Sequence, residues 1–99
     1  MKPTKLVVIG LDCVPPNLVF DLWKDQLPNI SRLIDHGTWG SLRSSTPPIT
    51  VPAWMCMVTG QDPGQLGIYG FRERDGNSYT KSRIADSSYV KEKTVWDIL

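Results

Sequence analysis

Residues 5–11, Lys-Leu-Val-Val-Ile-Gly-Leu, form an apolar run rich in β-branched side chains and without polar alternation. A strand wetted on one face alternates apolar and polar side chains. A run that does not alternate belongs inside a sheet covered on both faces. Asp12 ends the run and Pro15-Pro16 breaks the chain, after which Asn17 reads as the cap of a short helix through Trp23. A second helix starts at Pro28, carries Ile30, Leu33 and Ile34 on one face, and closes at Gly37. Residues 38–43, Thr-Trp-Gly-Ser-Leu-Arg, read as a second strand, and residues 51–58 as a short helix stopped by Gly60. The order strand, helix, strand, helix predicts an α/β fold, a mostly parallel sheet with helices on both faces.

The remainder is less regular. Residues 61–70 are rich in glycine and proline and read as a loop; Asp75-Gly-Asn is a turn, and residues 78–84 are a weak strand. Thr94 is placed to cap an amphipathic helix carrying Val95, Ile98 and Leu99 on one face. No glycine, basic turn or proline closes that helix, and a helix of one turn nucleates poorly. The expectation is a segment from the N-terminal side of a larger α/β domain that continues past Leu99. The four tryptophans among 99 residues agree with it, since they offer more core-forming surface than so short a chain covers.

Charge and cysteine content exclude several classes. Eleven basic and ten acidic residues leave a net charge of +1, no electrostatic case for nucleic acid or an anionic membrane. Arg72, Glu73, Arg74 and Asp75 largely cancel one another along the chain. No apolar run reaches the roughly 18–20 residues of a membrane-spanning helix, so the expected location is the cytoplasm. Cys13 and Cys56 have neither zinc-site nor disulfide spacing and are expected to be free, mostly buried thiols.

Function turns on Thr46-Pro-Pro-Ile-Thr50-Val-Pro52-Ala-Trp54. Thr50 stands directly before a helix start, where free N–H groups and the positive end of the helix dipole attract an anion. Its hydroxyl is either an ordinary N-cap or a nucleophile facing a phosphate. A threonine hydroxyl needs a base or a metal to act as a nucleophile. His36, the single histidine, belongs at a helix end. Asp12, at a strand end, is either a turn former or a carboxylate ligand for a divalent ion. In a parallel sheet both positions open into the crevice at the strands' carboxyl ends.

Four segments in order carry a resemblance: Gly10-Leu-Asp12; Leu27-Pro28-Asn29-Ile-Ser-Arg-Leu33; Thr46 to Trp54; and Thr59-Gly60-Gln-Asp-Pro63-Gly-Gln-Leu-Gly67-Ile68. Together they resemble the alkaline phosphatase superfamily, and within it the type I phosphodiesterase / nucleotide pyrophosphatase group. The resemblance implies that residues 1–99 are the N-terminal portion of one alkaline-phosphatase-like catalytic domain. It implies a phosphodiesterase or phosphatase with two divalent ions, zinc as a rule. Asp12 would be a metal ligand. Thr50 would be the metal-activated nucleophile that carries a covalent phospho-intermediate. The implied partner is a small phosphate ester or phosphodiester.

The departures from that pattern are specific. Leu66-Gly67-Ile68 replaces a usual His-Gly-Ile, Phe71 stands near the place of a phosphate-binding asparagine, and Cys13 stands where glycine is common. Thr50-Val-Pro52-Ala-Trp54 lacks the cysteine and arginine of a sulfatase site. With one histidine the chain cannot complete two zinc sites of about four ligands each, so this segment alone is expected to be inactive. Two alternatives stay open: a non-catalytic α/β anion-binding module, and a mutase or phosphotransferase of the same superfamily.

Overall fold

A computed structural model describes residues 5–99. It divides into two units, one ending at Ser41 and the other spanning Leu42–Leu99.

In the first unit the backbone of residues 5–11 lies outside any strand, and Asp12 and Cys13 form a turn. Val7 is 80% exposed and Ile9 78%. Residues 38–43 are likewise irregular. Both expected strands are therefore corrected, and no parallel sheet is formed among the described residues. The physical reason is that a strand persists only when a neighbour takes up its N–H and C=O groups. Among the described residues, nothing runs beside these segments as a paired strand.

The expected helix after Asn17 is a π-helical turn, Leu18–Leu22, followed by a 3-10 turn, Lys24–Gln26. Asn17 is itself helical (φ −63°, ψ −27°) and its side chain caps nothing. Helix α1, Pro28–His36, agrees with the sequence reading. Pro28 fits its first turn because the missing N–H would have no partner there. Ile34 is its buried residue, and the Ser31 hydroxyl donates to the Lys24 carbonyl, tying α1 to the 3-10 turn. His36 sits in the last turn with Nδ1 2.8 Å from the Arg32 carbonyl oxygen, the end-cap role expected of it. Gly37 closes α1 in extended backbone (φ −117°), with its N–H donating to the Leu33 carbonyl at 2.8 Å. Beside these elements the Phe20 and Trp39 rings stack with centroids 4.6 Å apart.

The second unit is built on helix α2, Thr50–Thr59, and the one-turn helix α3, Pro63–Leu66, inside the segment read as a loop. Gly60 ends α2 in the left-handed region at φ 71°, a conformation glycine adopts without a Cβ clash. Asp62 then starts α3 through a capping box: its carboxylate accepts from the Gln65 N–H at 2.9 Å. Pro52, Val58, Pro63, Leu66 and Ile68 form the core, with Ile68 only 1% exposed. Burial of a side chain such as Ile68 contributes about 1.5–3 kcal/mol.

Strands β1, Arg72–Arg74, and β2, Ser82–Ile84, pair antiparallel, the one sheet among the described residues. The Asp75-Gly-Asn turn lies between them, with Gly76 at φ 57° and the Ser78 N–H donating to the Asp75 carbonyl. A lone two-stranded hairpin is marginal in water. Here Glu73 Oε1 anchors it, accepting from the Tyr69 N–H at 2.8 Å and the Gly70 N–H at 3.2 Å. After a 3-10 turn at Ser87–Tyr89, helix α4 spans Val95–Ile98 with Thr94 as its N-cap. The surplus of tryptophan shows at the surface, where Trp23, Trp39 and Trp96 are all exposed. No helix of the described residues is long and apolar enough to cross a membrane.

Candidate functional site

Thr50 is the first residue of α2, and the N-cap position belongs to Ile49, whose backbone is extended (φ −113°, ψ 145°). That corrects the capping alternative, because a side chain one position inside the helix no longer reaches back over the first turn. The first intrahelical bond runs from the Ala53 N–H to the Ile49 carbonyl at 3.0 Å. Pro52 has no N–H to give, so the free donors of the first turn are the amides of Thr50 and Val51. Thr50 is half-buried, and its hydroxyl takes part in none of the side-chain hydrogen bonds among the described residues. An unengaged hydroxyl beside two outward-facing amides, at the positive end of a ten-residue helix, suits an anionic group.

The far end of α2 is closed by its own polar groups. The Thr59 hydroxyl donates to the Met55 carbonyl at 2.6 Å and accepts from the Gln61 N–H at 3.2 Å. Thr59 therefore braces the Thr-Gly-x-x-Pro turn from within. An open cavity of about 740 Å³ lies along this turn, between Arg43, Thr46, Cys56, Gln61 and Tyr69. Cys56 is half-buried; burial pushes its thiol pKa up, and the Asp62 carboxylate adds to the rise. A second cavity of about 450 Å³ is lined by Val51 and Met55 on one side of α2, and by Ile68, Val90 and Trp96.

Asp12 belongs to the first unit and Thr50 to the second, and each is described within its own. Asp12 is exposed on its turn, and Cys13 beside it holds φ 57°, uncommon for any residue but glycine. Cys13 is exposed and Cys56 half-buried, both free; the expectation of buried thiols is corrected on that count. Phe71, beside Gly70, is exposed, and its carbonyl accepts from the Ala85 N–H at 3.0 Å. Sequence reasoning missed Glu73, which fixes the Tyr69–Phe71 loop. The available signal was an isolated carboxylate between two arginines, three residues after a glycine.

A divalent ion needs several donors at once. Among the described residues, no group of three or more histidine, cysteine, aspartate or glutamate side chains is gathered to hold one. Asp12 and Thr50 fall short of the four ligands of an ordinary zinc site. The residues described thus do not fit a complete metal centre.

Neither the curated proteins nor the solved structures give a match. The family model described as type I phosphodiesterase / nucleotide pyrophosphatase matches residues 6–99, nearly the whole chain, and the chain belongs to that family.

Proposed function

We propose that this chain contributes Thr50 as the nucleophile of a phosphodiesterase- or phosphatase-type hydrolase acting on small phosphate esters or diesters. The observation that carries the reading is the first turn of α2. The half-buried residue Thr50, whose hydroxyl makes no side-chain hydrogen bond among the described residues, stands beside the free Thr50 and Val51 amides. The amides and the helix dipole orient a phosphoryl oxygen and offset its charge. Attack by Thr50 Oγ1 forms a bond to phosphorus as the bond to the leaving oxygen breaks. Water then cleaves the phosphothreonine and restores the hydroxyl.

Asp12 is proposed as one ligand of a two-ion site, with zinc the expected metal. When bound, such ions lower the pKa of an attacking hydroxyl and polarise the phosphoryl group. The further ligands are not among the described residues, and 1–99 are proposed as the N-terminal portion of one catalytic domain whose core is a parallel sheet. On that reading residues 1–99 alone do not turn over substrate. The Cys13 turn after Asp12 is in keeping with a backbone held in an uncommon conformation at a functional position.

The test is Thr50→Ala in the protein with its full catalytic domain, assayed with bis-p-nitrophenyl phosphate and by trapping of phosphoenzyme. Turnover and phosphoenzyme should both vanish while bound metal persists. Retained turnover would remove Thr50 from the chemistry and leave the anion-binding module as the better reading. Phosphoryl transfer to an alcohol in place of water would point to the mutase or phosphotransferase alternative.

A further inference from the structure

Along the chain Arg72, Glu73, Arg74 and Asp75 sum to zero, but the hairpin sorts them by face. The ladder pairs Arg72 with Ile84, Glu73 with Arg83, and Arg74 with Ser82. Paired residues share a face and successive residues alternate. Arg72 and Arg74 therefore stand together with Ser82 and Ile84, while Glu73 and Arg83 occupy the reverse. The acids are engaged elsewhere: Glu73 Oε1 accepts from the Tyr69 and Gly70 amides, and Asp75 lies 3.8 Å from Arg83 Nε. Among the described residues no carboxylate forms an ion pair with Arg72 or Arg74.

The two arginines border a cavity of about 250 Å³ that Ser78, Tyr79, Lys81 and Ser82 also line, together with Glu73. Arg74 Cζ lies 4.7 Å from the centre of the Tyr79 ring, so stacking holds the guanidinium while leaving its edge N–H groups free to donate. Two residues along a strand are about 6.6 Å apart, so both forks can reach the oxygens of one tetrahedral anion or of two linked ones. We propose that this cavity binds a small phosphate-type oxyanion, free or borne by a substrate. The site is separate from Thr50 and does not depend on that residue being the nucleophile.

Calorimetric titration of the protein with pyrophosphate and with p-nitrophenyl phosphate, at about 0.15 M salt to screen diffuse attraction, tests it. Saturable binding should weaken about tenfold or more in the double variant Arg72→Ala/Arg74→Ala, the loss of bidentate charge-assisted bonds. Arg72→Lys/Arg74→Lys, which keeps charge but not the fork, should fall between. Arg83→Gln, which removes a charge from the reverse face, should leave affinity nearly unchanged. Binding of both probes identifies a site open to the free anion; binding of the ester alone identifies a substrate-borne phosphate. No saturable binding of either probe would overturn the proposal, as would equal losses from Arg83→Gln and the double variant with circular dichroism unchanged. A Thr50→Ala enzyme that stays active but keeps the anion would sink the nucleophile and spare this site.

Discussion

Thr94 donates both its backbone N–H and its hydroxyl to one carboxylate oxygen of Asp97, at 2.7 and 2.6 Å. The four-residue helix α4 starts on this pair, and Thr94 is the buried polar residue of the second unit. Two donors aimed at the charged form hold the Asp97 carboxyl below its ordinary 3.8, the hydroxyl bond first and the amide bond second. A carboxyl depressed in the folded state adds stability above its unfolded value, and that stability is lost as pH falls through the lower folded value. Carboxyl carbon shifts of Asp97 should therefore titrate below 3.8, and Thr94→Ala should move the midpoint back up. A midpoint unmoved by Thr94→Ala would mean the pair does not form in solution.

Gly37 and Gly60 both follow a helix, but for different reasons. A Cβ on Gly37 would meet the Leu33 carbonyl oxygen at 2.8 Å, whereas one on Gly60 would touch nothing within 4 Å. Gly60 is needed for its φ of 71°, Gly37 for the close approach that its own N–H bond to Leu33 imposes. Alanine at Gly60 should cost about 1–2 kcal/mol from left-handed backbone alone, and asparagine should recover part of it. Alanine at Gly37 should cost about 1–3 kcal/mol through the clash, and asparagine should recover none. Urea denaturation of the four variants separates the two. Equal rescue by asparagine at both positions would refute the distinction.

What the sequence made readable follows from how local each signal is. Helix α1 was legible because Pro28, the Ile30–Leu33–Ile34 stripe and His36 all act within nine residues. Helix α2 and its glycine stop were legible for the same reason, as was the Thr94 cap. The strands expected at residues 5–11 and 38–43 were not found, because strand pairing depends on a neighbour that local pattern cannot supply. At Thr50 the difference is a single position: the helix expected to start at Val51 starts at Thr50, and Ile49 takes the N-cap place through its extended backbone. The sorting of Arg72 and Arg74 from Glu73 was invisible as composition and appears only once strand alternation separates the faces.

The two thiols should differ in reactivity. Cys13 is exposed, whereas Cys56 is half-buried on α2 and its pKa is raised by burial and then by Asp62. The thiolate is the nucleophile that adds to maleimide, so the exposed Cys13 should be alkylated before the half-buried Cys56 with its raised pKa. Asp62→Asn removes the second cause and should lower the Cys56 pKa and quicken its labelling. Peptide mapping after timed quenching reads both rates. Labelling of Cys56 that ignores Asp62→Asn would show that the carboxylate does not act on the thiol.

Asp12 carries the metal reading in the first unit, and its surroundings give that reading a specific form. The carboxylate is exposed, and Cys13 turns the chain immediately after it at φ 57°. If Asp12 were only a turn former, Asp12→Asn would be nearly silent, since asparagine forms the same side-chain turns. If it is a ligand, the amide loses the negative charge that a hard or borderline divalent ion needs. In the protein with its full catalytic domain, Asp12→Asn should lower bound zinc per chain, measured by elemental analysis after dialysis, with the circular dichroism spectrum retained. Cys13→Gly should leave metal content in place and raise stability, because glycine adopts that φ without strain. Unchanged zinc in Asp12→Asn would strip Asp12 of its proposed role. Zinc lost in Cys13→Gly but kept in Asp12→Asn would transfer the ligand role to the thiol.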